Sequence, residues 1–144
     1  MAVAVAMTVI LTGAAHARKK PPTLTIPLRI KVASCPDKDG KLKPVRDDKW
    51  LNKHLKEARK IFGRHDIQLN SIVEPFTPAR CQLLTRAHRH AAAADVVMDG
   101  KATVLVLPRV RDVDVLTYNL MGVHWRYRGK EPRHQGKRWV LLTA

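Results

Sequence analysis

Glutamate is scarce in this chain of 144 residues: it occurs only at positions 57, 74 and 131, and none of the seven histidines is followed by one. The helical zinc motif His-Glu-x-x-His is therefore absent, since it needs two imidazoles one helical turn apart with a Glu between them as general base. Serine is rarer still. Ser34 and Ser71 are the only two, and neither lies in a Gly-x-Ser-x-Gly elbow. There is no Gly-rich phosphate loop and no internal repeat. The two cysteines, Cys35 and Cys81, are better explained by one bridge than by a Cys-His nucleophile, with two free buried thiols as the alternative.

The longest apolar run, Ala2 to Ala15, is too short to span a bilayer comfortably. It is followed by the small-residue pattern Ala15-His16-Ala17 and then by Arg18-Lys19-Lys20. This reads as a secretory signal peptide over residues 1–17, although no Lys or Arg precedes the run; an uncleaved anchor or a tail is the alternative. Export to the periplasm or the exterior follows, a compartment in which a disulfide persists. Residues 18–23 form a basic, proline-containing linker. Residues 24–144 are enough for one modest core and not for two domains.

The net charge is +15. Residues 18–64 hold fifteen Lys/Arg against five Asp/Glu, and residues 109–144 hold eight against three, so the excess sits toward both ends. Such a field attracts anionic polymers, nucleic acid or envelope polysaccharide among them, and equally suits a solvated basic surface.

Leu24 to Val32 alternates apolar and polar residues, which predicts a half-buried strand with a free side at Pro27. Residues 35–46 read as a loop. Asp47 or Asp48 caps a helix whose apolar face is Leu51, Leu55, Ala58, Ile61 and Phe62, stopped by a left-handed Gly63. Ile67 to Val73 is a second strand. A helical stretch from about Pro78 to Ala94, broken near Thr85, precedes Ala102 to Leu107, a strand covered on both faces. Pro108 to Asn119 reads as a surface loop. Met121 to Tyr127 and Arg138 to Thr143 form a long antiparallel hairpin, with Val123, Trp125 and Tyr127 on one side. The order indicates an α/β single domain with a mixed, mostly parallel sheet, a C-terminal antiparallel hairpin and two helices. Because the final strand is followed by no turn, cap or polar tail, further chain is expected after Ala144.

Among candidate ligands, His88 and His90 are two apart on a helix, a spacing that turns them to different faces as surface residues. His124 and His134 read as ordinary polar residues of the hairpin. Trp125, Arg126, Tyr127, Arg128 and Arg138-Trp139 set aromatics among cations. That combination stacks bases in some proteins, and across a hairpin it also serves plain packing.

In order, the signal peptide, the strand Leu24 to Val32, the helix from Trp50 to Phe62, Ile67 to Val73, Ala102 to Leu107, Gly122-Val123-His124-Trp125-Arg126 and Trp139-Val140-Leu141-Leu142 resemble the front part of exported bacterial zinc metallopeptidases of the metzincin type. In that family an edge antiparallel strand and one more strand immediately precede the helix that bears the zinc motif. The resemblance implies that Gly122, Val123, His124, Trp125, Arg126 and Tyr127 form the edge strand along which a peptide or protein substrate lies. No position matches the family's zinc ligands or its general-base Glu, so no catalytic or metal-binding residue carries over. Zinc, and peptidase activity, are expected only with a downstream zinc helix, and the given residues alone are expected to be inactive. The alternative is a small basic secreted protein that binds anionic polymers.

Overall fold

The computed structural model describes residues 23–115 and 117–144; the expected signal peptide and all of the linker but Thr23 lie outside the described residues. The centre of the fold is β1 (Leu24–Pro36). Its alternating side chains bury Ile30 and Val32 on one face and Ala33 and Cys35 on the other. β3 (Ile67–Phe76) runs parallel to it from Leu24↔Ile67 to Ala33↔Phe76. β5 (Ala102–Leu107) is also parallel to it, starting at Leu28↔Ala102. Among the described residues, Pro27 therefore has a strand neighbour on the β3 side alone, and its missing N–H interrupts no second ladder there. β8 (Arg138–Thr143) continues the sheet parallel to β5, and β7 (Gly122–Arg126) closes it antiparallel to β8. β2 (Leu42–Pro44) folds back antiparallel on the end of β1 through a turn in which Gly40 has φ 78°.

The result is a mixed α/β domain with a mostly parallel sheet, a C-terminal antiparallel hairpin and two helices, as the sequence predicts. The first difference is at residues 35–46, where the expected loop is the end of β1 plus a short hairpin strand.

α1 (Asp48–Gly63) covers one face of the sheet. The Asp47 side chain accepts a hydrogen bond from the Trp50 backbone N–H at 2.8 Å, the expected cap. Leu51 and Leu55 are buried against Ile30, Val32 and Val106. Ile61 and Phe62, expected on the covered face, are 54% and 39% exposed. An apolar cavity of about 300 Å³ lies between the helix, from Trp50 to Phe62, and Ile26, Leu28, Val104, Val140 and Leu142. Gly63 does not take the left-handed conformation expected of it. The chain leaves α1 through successive turn bonds from Arg64, His65 and Asp66 to Ile61, Phe62 and Gly63, and the positive φ, 55°, falls on Asp66. Asp tolerates that region because its short polar side chain bonds locally.

On the other face, α2 (Arg86–Ala91) begins where Thr85 Oγ1 accepts from the His88 N–H at 3.1 Å, and a 3₁₀ turn, Ala92–Asp95, extends it. The expected helix from about Pro78 is thus realised in its second half alone. Upstream, β4 (Gln82–Leu83) pairs parallel with β6 (Arg109–Val110), which also gives order to the expected loop after Pro108 and buries Val110 completely. The disulfide Cys35–Cys81, with Cα atoms 6.0 Å apart, fastens this region to the end of β1. Closing a loop across 46 positions stabilises the fold by about 4 kcal/mol in the chain-entropy account. Among the described residues no helix is long and apolar enough to cross a membrane.

Candidate functional site

β7 is an edge strand, and its hydrogen-bonding pattern shows what that edge offers. The Thr143 N–H donates to the Met121 carbonyl at 3.0 Å, and the Tyr127 N–H to the Lys137 carbonyl at 3.0 Å. Antiparallel ladders alternate hydrogen-bonded and non-bonded pairs. The main-chain groups of residues 121, 123, 125 and 127 are therefore turned to β8, and those of Gly122, His124 and Arg126 are turned outward. Among the described residues no strand pairs with that outer side. The side chains of His124 and Arg126 are exposed. Gly122 is required by its neighbour: a Cβ there would stand 2.8 Å from Leu142 Cδ2.

The inner face of the strand is anchored by rings. Val123, Trp125 and Tyr127 point into the core, as the alternation predicts. His90 sits between the last two, its ring centroid 5.3 Å from Trp125 and 5.4 Å from Tyr127, and His134 packs edge-on against Tyr127 at 5.3 Å. Trp125 Nε1 donates to His90 Nδ1 at 3.4 Å. Beneath them Arg89 is 2% exposed, with its guanidinium 4.8 Å from the Trp125 ring centroid and donating to the Arg111 carbonyl. Burial lowers the pKa of Arg89 and nearby Asp112 raises it. The Tyr127 hydroxyl accepts from the Glu131 N–H at 3.1 Å, and its ring fills the space over Gly129 where a side chain would collide.

The charged side chains that line the cavity at this edge are all basic. A cavity of about 340 Å³ is lined by Arg86 and His90 from α2, by His124, Trp125 and Arg126 from β7, and by Arg128 and Arg138. Arg126 and Arg138 are directly opposed across the ladder. Arg86 is held by Asp114. The other ion pairs among the described residues engage Arg29, Lys43, Lys101 and Arg133, leaving Arg126, Arg128 and Arg138 without a carboxylate partner. The His90 imidazole is held below the usual histidine range, chiefly by burial and then by Arg128 and Arg86.

The six residues expected to form a substrate-facing edge thus lie together at the rim of the sheet. Tyr127, just past the strand, is an anchor and not a surface. Two expectations change. His90 is wedged between aromatic rings instead of lying on the helix surface, and His88 is half-buried with Nδ1 accepting from the Leu84 N–H at 3.3 Å. The contributions of Arg86 and His90 were hidden in the sequence because they come from a distant helix. Their i, i+4 spacing, which places both on one helix face, is the signal that marks them. The bridge Cys35–Cys81 forms as expected.

Among the described residues no group of three or more His, Cys, Asp or Glu stands together as a metal site. The described residues do not fit zinc. In comparisons with known proteins, the chain matches no family model, no curated protein and no solved structure.

Proposed function

We propose that this chain is the front part of an exported, metzincin-like zinc metallopeptidase, in which the outer edge of β7 receives the substrate as an added strand. Cleavage belongs to a zinc helix carried by further chain, and the given residues bind without cutting. The observation that carries the reading is the unpaired antiparallel edge of β7, followed directly by β8, the order of elements that the resemblance implies. The outward main-chain groups of Gly122, His124 and Arg126 supply the ladder such a peptide needs. Two further features agree with it. The disulfide suits an oxidising compartment and hence export. The apolar cavity beside α1 offers a packing surface for more polypeptide.

The test has two parts. Amide hydrogen exchange with and without an extended peptide should slow at Gly122, His124 and Arg126 and leave residues 123 and 125, already paired to β8, unchanged; no slowing at the outer amides rejects the edge. A reading frame that continues into a His-Glu-x-x-His segment should give, when expressed whole, one bound zinc and chelator-sensitive peptide cleavage. A protein expressed with such a segment that binds no metal rejects the peptidase.

A second reading is favoured by the arginines around the edge: a small basic binding protein for anionic polymers, with no catalytic role. It gives salt-sensitive binding that grows with polymer length and does not depend on peptide main-chain groups.

A further inference from the structure

The free edge of β7 and the unpaired arginines occupy one place, and together they restrict what kind of strand could be added there. A residue of an added strand directly opposite Arg126 projects to the same face as Arg126 and Arg138, extending that row across three strands at about 5 Å per step. The next residue, opposite Trp125, projects to the other face, where Arg128 lies near His90 and Arg86 is already paired with Asp114. Like charges directly opposed across a ladder are destabilising, and Arg126↔Arg138 is such a pair with no acid beside it. A carboxylate placed in that row offsets the repulsion, whereas a lysine there adds to it.

Resting on the reading of β7 as a peptide-receiving edge, we propose that the substrate or ligand is an acidic peptide, with Asp or Glu at the two successive positions opposite Arg126 and Trp125. Trp125 itself offers little to single-stranded nucleic acid, because Arg89 lies over one face of its half-buried ring and His90 accepts from Nε1 at its edge. Burial of His90 as a neutral ring keeps the floor of the site from adding a further positive charge that would need its own partner.

Fluorescence anisotropy with labelled nine-residue peptides of Val and Thr tests this directly, using a central Glu-Glu, a central Gln-Gln, and the Glu-Glu peptide N-methylated at alternate main-chain nitrogens. The Glu-Glu peptide should bind about fivefold more tightly than the Gln-Gln peptide, the worth of one good cross-strand charge pair. Arg126→Gln should narrow that difference, the Glu opposite Trp125 keeping its share through Arg128. Arg138→Gln, on a different strand, should act in the same direction, and unchanged thermal melts of both variants show that folding is preserved. Equal binding of the acidic and neutral peptides to the unsubstituted protein overturns the acidic preference and leaves the edge reading standing. Binding of neither peptide, or of the N-methylated peptide as tightly as its parent, overturns the edge reading and this inference with it. A twelve-nucleotide single strand that binds more tightly than the acidic peptide, and loses its affinity in Arg126→Gln, overturns the peptide in favour of nucleic acid.

Discussion

His90 shows how one side chain links the core to the candidate site. Its ring joins α2 to Trp125 and Tyr127 and is favoured in the neutral form by burial, with Arg128 and Arg86 acting the same way. An unfolded chain takes up the histidine proton near the ordinary pKa of 6.5, whereas the folded one resists it to lower pH. The unfolded state therefore binds more protons between those two values, and the stability associated with this ring is complete above pH 6.5 and is lost as pH falls through it. Denaturant melts at pH 8, 7, 6 and 5 should show stability falling over the acid half of that series, and His90→Phe should flatten the fall. An unchanged slope in the variant would place the acid sensitivity elsewhere. Arg89 contributes the other half of this packing: an arginine 2% exposed beneath a tryptophan is held by the Arg111 carbonyl and the ring face, and no local pattern in Arg86-Ala87-His88-Arg89-His90 separates it from its exposed neighbour Arg86.

At the scale of elements, the strands were the most legible. Strict alternation over Leu24 to Val32 and the apolar run Ala102 to Leu107 have few other uses, and Trp125 and Tyr127 two apart on a strand require a covered face. The cap at Asp47 and the cap at Thr85 were readable for the same reason, a short polar side chain just ahead of a helical period. Illegible were the features decided by distant partners: β4 exists because β6 lies beside it, and Pro78 to Leu84 departs from the helix because Cys81 is tied to Cys35. The exposure of Ile61 and Phe62 also depends on how closely α1 sits on the sheet, which helical periodicity does not encode. Around the candidate site, the strand from Gly122 to Arg126 and its inward-facing side were legible, while the approach of Arg86 and His90 was not, because they are separated from β7 by more than thirty residues. The bridge is the element-level feature most open to test. Replacing Cys35 and Cys81 together by Ser should lower unfolding free energy by about 2–5 kcal/mol, read as a shift in denaturant midpoint at constant slope. The loss should be accompanied by faster amide exchange at Leu83 and Val110, where the small β4–β6 pair is fastened. A midpoint unchanged within error would show that packing alone holds this margin.

Across the whole molecule the dominant fact is charge. With a net +15, self-repulsion opposes the compact state, and salt screens it. Melting temperature should therefore rise between 20 and 300 mM sodium chloride, followed by circular dichroism; a fall would mean that the few ion pairs, such as Arg29 with Glu74 and Asp99, outweigh the surplus of like charges. The order of strands has a consequence in time as well. A chain emerging from the ribosome amino end first can zip β1 to β3 once Phe76 is out, and β5 can join soon after. The far side of β5 then waits through about thirty more residues for Arg138–Thr143, so the nascent polypeptide carries an open, oily flank through the last part of its synthesis, and any holding chaperone it meets would find its foothold there.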